Sequence, residues 1–139
     1  MKREISYLLK LINDSFRSKV DTQLRSADMT VSQSRVLFFI RQSGGETTQK
    51  KIEEFLEVSH PTVVGLLSRL QKSGYIECGY DEKHGKNKIV RATEKAFNFS
   101  DEMENFFNIN NEKLVEGLSE EEKTELQRLL TILYENVRK

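Results

Sequence analysis

Apolar residues recur at steps of three and four along nearly the whole chain, and only between Tyr75 and Ala92 does their spacing fall to two. A period of 3.6 lines one face of a helix, whereas a period of two alternates side chains across a strand. One short β element in a helical chain bounds the fold class: mainly α with a small β-hairpin wing (α+β). The strand candidates are Tyr75-Ile76-Glu77-Cys78-Gly79-Tyr80 and Lys88-Ile89-Val90-Arg91-Ala92, with a polar loop at 81–87 between them. A single proline and seven glycines in 139 residues leave little else to break helices.

The helical segments announce their own ends. Ile5, Leu8, Leu9, Ile12, Phe16, Val20 and Leu24 make one long stripe. Thr30-x-x-Gln33 reads as a capping box for a second helix through Val36, Leu37 and Ile40, which Gly44-Gly45 stops. Thr47 stands as the N-cap of a short third helix with Ile52, Phe55 and Leu56 on its buried face. Only Glu57-Val58 separates it from Ser59, the N-cap of a fourth helix with Pro61 in its first turn and Val63, Leu66, Leu67 and Leu70 on its apolar face. Ser73-Gly74-Tyr75 closes that helix. Thr93 opens a fifth, carrying Phe97, Met103, Phe106, Phe107, Leu114 and Leu118. Ser119-x-x-Glu122 caps a sixth, with Leu126, Leu129, Leu130, Leu133 and Val137 in its stripe.

Composition removes several function classes. The apolar runs are short, as in Val36-Leu37-Phe38-Phe39-Ile40, too short to span a membrane. The start, Met-Lys-Arg-Glu-Ile-Ser, turns helically periodic without a signal-peptide block, so a cytoplasmic chain is expected. One cysteine excludes an internal disulfide and a multi-cysteine zinc site. With two histidines, no glycine-rich phosphate loop and no metal-ligand spacing, no enzyme, cofactor or metal is expected. Twenty-two basic and 22 acidic residues cancel, but unevenly: residues 1–91 sum to +5 and residues 92–139 to −5. The first two thirds are thus the part suited to a polyanion.

Two helices joined by a tight turn, at 47–56 and 59–73, followed at once by a hairpin, make the order of a winged helix-turn-helix. A helix about 10–12 Å wide fits the major groove of duplex DNA, and its partner braces it across the backbone. Lys83, Lys86 and Lys88 on the hairpin are placed to reach a neighbouring groove or phosphate run.

The residues that carry this order resemble a known family. Thr48-Gln49-x-x-Ile52, Val58-Ser59-x-Pro61-Thr62-Val63 and Leu67-x-Arg69-Leu70-x-x-x-Gly74-Tyr75-Ile76 are similar to the MarR (multiple antibiotic resistance regulator) family of transcription factors. Met29-Thr30-x-Ser32-Gln33-x-x-Val36-Leu37 upstream and Val90-Arg91-Ala92-Thr93-Glu94-Lys95 downstream agree, so the resemblance covers essentially the whole chain. It implies a single domain, 1–139. Within it, residues 30–92 form the DNA-binding lobe, and 1–28 with 93–139 form a helical dimerisation region. That explains apolar stripes longer than a small lobe can cover. A two-fold homodimer would read a pseudo-palindromic double-stranded DNA operator, most simply as a repressor.

The resemblance also distributes roles. Ser59, His60 and Thr62 stand where the family reads DNA, Ser59 doubling as N-cap. Thr47, Thr48 and Gln49 open the bracing helix, whose N-terminal amides can hold a phosphate. Ser32 is a further candidate, as are Lys86 and Lys88. Gly65 replaces the long polar residue common in the family, at a cost of about 0.5–1 kcal/mol relative to alanine, which either close approach to DNA or drift explains. Ser68 replaces a frequent Asp. The wing tip His84-Gly85-Lys86 lacks the family's arginines, which makes Lys86 a phosphate contact instead of a groove-reading Arg. Cys78 falls in the first wing strand, away from the first-helix cysteine that some relatives oxidise, so a structural role is expected. Many relatives release DNA on binding a small aromatic or phenolic effector, for which Phe16, Phe38, Phe39 and Tyr75 are the candidate rings, each equally explained as core. The alternative is a winged-helix protein-interaction module with weak or no DNA binding.

Overall fold

The computed structural model describes residues 4–80, 85 and 87–139. Helix α1 (Ile5–Ser26) is followed by α2 (Val31–Gln42), β1 (Glu46–Thr48), α3 (Gln49–Leu56), α4 (His60–Lys72), β2 (Ile76–Gly79), β3 (Ile89–Ala92), α5 (Glu94–Leu114) and α6 (Glu120–Arg138). The expected mainly helical chain with a small wing is present. Contacts divide it into two compact units, residues 1–103 and 104–139.

The first unit is built around one apolar core. Val36, Leu37 and Ile40 from α2, Ile52 and Leu56 from α3, and Val63, Leu66, Leu67 and Leu70 from α4 meet Ile76 and Val90 of the sheet. Leu24 and Met29 close it on the side of α1, and Ala96 and Phe99 on the side of α5. The capping residues read from sequence for α2, α4 and α6 do their expected work. Thr30 and Gln33 form a reciprocal capping box, and Gly44 and Gly45, both at positive φ, end α2. The amide of Gly45 donates to Ile40 O at 2.9 Å, and an added Cβ there would stand 3.2 Å from the Phe97 ring.

The sheet is where the sequence reading needs correction. It has three antiparallel strands in the order β1-β3-β2, with Thr47 opposite Val90 and Cys78 opposite Val90 on the other side. The hairpin was expected, but β1 was not. Thr47 was expected to cap α3, yet it lies in β1, and Thr48 is the cap, accepting from the Lys51 amide at 3.2 Å. A three-residue strand shows no period, whereas two β-branched residues after Gly-Gly pair readily with an open strand edge. Glu46 and Arg91, partners across β1 and β3, also form an ion pair.

Helix α4 is tied at its far end to the start of α5. The Thr93 hydroxyl donates to Gly74 O at 2.6 Å and to Tyr75 O at 3.0 Å. Lys95 Nζ donates to Ser73 O at 2.5 Å and lies 4.5 Å from the centre of the Tyr75 ring. A cation on the last carbonyls of a helix also favours its dipole.

The second unit begins within α5, turns at Gly117 and continues as α6, opened by the Ser119 and Glu122 capping box. No residue of α6 is buried, although Leu126, Leu129, Leu130 and Ile132 recur at helical spacing.

Candidate nucleic-acid interface

The interface is built by a two-residue turn. Helix α3 stops at Glu57, whose φ of 56° is left-handed and whose amide donates to Glu53 O. That reversal, rare for a residue with a Cβ, lets Val58-Ser59 launch α4 immediately. Ser59 accepts from the Thr62 amide, and the two hydroxyls lie 2.8 Å apart. With four apolar side chains of α4 turned into the core, its first turn presents Ser59, His60 and Thr62 to solvent.

His60 is held by its neighbour helix. Its Nδ1 contacts Glu53 Oε1 and lies 3.3 Å from Gln49 Nε2, which also donates to Glu53 at 3.3 Å. The imidazole is still 66% exposed, so the other ring nitrogen is the one left for an outside partner. Glu53 was not among the residues singled out from sequence. The eleven-residue span from Gln49 to His60 hides their proximity until the turn at Glu57 is known.

Thr47, Thr48 and Gln49 are placed differently from their expectation. They are 7%, 6% and 8% exposed. Two of the amides at the start of α3 already have acceptors: Gln49 N donates to Lys88 O and Lys51 N to Thr48 Oγ1. That helix end therefore offers fewer donors for a phosphate than its sequence suggested. Thr47 Oγ1 is buried without a hydrogen-bond partner among the described residues.

Ser32 is exposed in the first turn of α2, and Lys88 is half-buried just before β3. Gly65 sits mid-way along α4, and an added Cβ there would meet nothing within 4 Å among the described residues. Lys83, His84 and Lys86 lie outside the described residues. Arg91 pairs with Glu46. Cys78 is half-buried, and burial raises its thiol pKa while the charge of Lys88 opposes that rise.

Two of the candidate effector rings, Phe39 and Tyr75, are engaged in separate contacts. Phe39 stacks on Phe55 with centroids 4.6 Å apart, and Arg35 lies over the same Phe55. Phe55, expected on the buried face of the third helix, is 36% exposed. Tyr75 packs edge-on against Phe99 at 5.9 Å and is 8% exposed, and burial raises its phenol pKa, followed by the charges of Glu102 and Asp28. Phe38 is 56% exposed and Phe16 is half-buried in α1.

Among the described residues no cluster of His, Cys, Asp or Glu is arranged to hold a metal ion, and no helix is long and apolar enough to cross a membrane.

Residues 27–86, a span that holds α2, β1, α3, α4 and β2, match the model of the MarR family. The crystal structure of MepR, a transcription regulator of the Staphylococcus aureus multidrug efflux pump MepA, is similar over 97% of this chain and 99% of that one, at 27% identity and a TM-score of 0.83. The crystal structure of the S. aureus MepR–DNA complex is similar over 95% of this chain and 98% of that one, at 28% identity and a TM-score of 0.80.

Proposed function

We propose that the chain is a transcription regulator of the MarR family, whose model matches residues 27–86, and that it acts as a homodimeric repressor that reads a pseudo-palindromic operator in double-stranded DNA. The observation that carries this reading is the first turn of α4, where Ser59, His60 and Thr62 stand exposed opposite a fully buried apolar face. A helix end so presented can enter a major groove with short polar groups leading. Ser32 and Lys88, and Lys86 outside the described residues, are the proposed phosphate contacts. Thr47, Thr48 and Gln49 support the bracing helix from inside.

The homodimer is supported by apolar surface that each unit leaves open. Ile5, Leu8, Leu9 and Ile12 of α1 are exposed, and so are Leu126, Leu129, Leu130 and Ile132 of α6. Contiguous apolar faces of this kind mark association surfaces. Release by a small aromatic or phenolic effector near Phe16, Phe38, Phe39 and Tyr75 belongs to the same reading and rests on the family resemblance. Such a ligand acts only by favouring a dimer geometry that DNA disfavours.

The test is selection of duplexes from a random pool by the purified chain, followed by titration of the selected duplex at rising salt. Two inverted half-sites about 10 base pairs apart, and an affinity falling steeply with salt, are expected. Micromolar binding that ignores salt would instead favour a protein-interaction module, the reading to which the zero net charge lends some weight.

A further inference from the structure

The outward face of α4 has an apolar centre. With Val63, Leu66, Leu67 and Leu70 inside, the geometry of a helix puts Pro61 and Gly65 on the opposite side of its first two turns and Val64 on the flank beside them. None of the three carries a hydrogen-bonding side chain. Val64 is 40% exposed, an apolar branched side chain held in water with no place in the core. Among the described residues Gly65 has open space where a Cβ would be, so they do not demand a glycine there. Glycine inside a helix is also less stable than alanine. The exposed valine is unfavourable in the free chain and becomes favourable when an apolar group from outside packs on it, for which the missing Cβ of Gly65 leaves room.

The major groove offers one apolar feature, the 5-methyl group of thymine. We propose that Val64 and the bare backbone of Gly65 seat a thymine methyl, so that α4 reads one T·A pair in each half-site by van der Waals contact. Ser59 and Thr62, nearer the helix tip, and Ser68, one turn further on, are left for hydrogen-bonded readout on either side. The proposal rests on the DNA-binding reading of α4 and gives that reading a base identity.

The probe is the duplex recovered by selection, with each thymine replaced singly by deoxyuridine, which pairs identically and lacks only the methyl. One thymine per half-site is expected whose replacement weakens binding about fourfold, the worth of one buried methyl. V64A should bind the thymine duplex several-fold more weakly and lose the discrimination against deoxyuridine. G65A should melt a few degrees higher than the unaltered protein yet bind on the order of tenfold more weakly, as for a mismatched base pair. A selected half-site with no methyl-sensitive thymine would overturn the proposal. So would a deoxyuridine penalty undiminished in V64A, or a G65A variant that binds at full strength. Absence of any salt-sensitive duplex binding by the unaltered protein would overturn the DNA-binding reading itself, which separates the two failures.

Discussion

Helices α4 and α6 open in the same way, each with a serine whose hydroxyl accepts from the third amide of its helix, and each carries a leucine-rich stripe. Their fates differ. In α4 the stripe is buried by its own chain, with Val63 and Leu67 at 0% exposure. In α6 the stripe is left open, with Leu129 at 44% and Leu130 at 41%. Amphipathic sequence alone states that a face must be covered; it does not state by what. For α4 the cover is α2, α3 and the sheet. For α6 the proposed homodimer supplies it.

The contrast can be broken by substitution. Leu67→Ala removes a fully buried side chain and is expected to cost about 2–5 kcal/mol in chemical denaturation, by an amount independent of protein concentration. The pair Leu129→Ala with Leu130→Ala is expected to cost about 1–3 kcal/mol in the dimer. Its denaturation midpoint should move with protein concentration, because association and folding are then linked. A midpoint fixed across a hundredfold range of concentration would mean that water, not a second chain, meets that face.

A smaller effect sharpens what burial in the lobe does. The phenol of Tyr75 has its pKa raised above the usual 10.0 by burial and by Glu102 and Asp28. The folded state therefore holds the proton more tightly than the unfolded chain. The resulting stability is fully present below pH 10 and is lost as pH rises through the folded value. Thermal melts from about pH 8 to 11 should show an alkaline decline that Tyr75→Phe reduces, the ring and its packing on Phe99 being retained.

Much of this was legible in the residues because helix ends carry chemical punctuation. Thr30 with Gln33, Ser59 with Pro61, and Ser119 with Glu122 each fixed a helix start. Gly44, Gly45, Gly74 and Gly117 marked the reversals. What could not be read lay where structure is set by distant partners. Strand β1 exists because β3 presents an edge, and nothing within Glu46-Thr47-Thr48 announces it. Phe55 looked like core by spacing, but it serves as a half-exposed platform between Phe39 and Arg35. The link from Gln49 and Glu53 to His60 depends on a left-handed Glu57, a conformation that a glutamate does not advertise. In the proposed interface the exposed residues at the start of α4 were the readable ones, whereas Val64 was passed over. Its place outside the buried face was implicit in the period and needed only to be counted round the helix.

The clasp formed by Thr93 and Lys95 on the carbonyls of Ser73, Gly74 and Tyr75 has a mechanical meaning. It works like a hand on the blunt end of a pen, with the nib at Ser59. Across a thirteen-residue helix of about 20 Å, the residues that open α5 thus help to set where the leading end comes to rest.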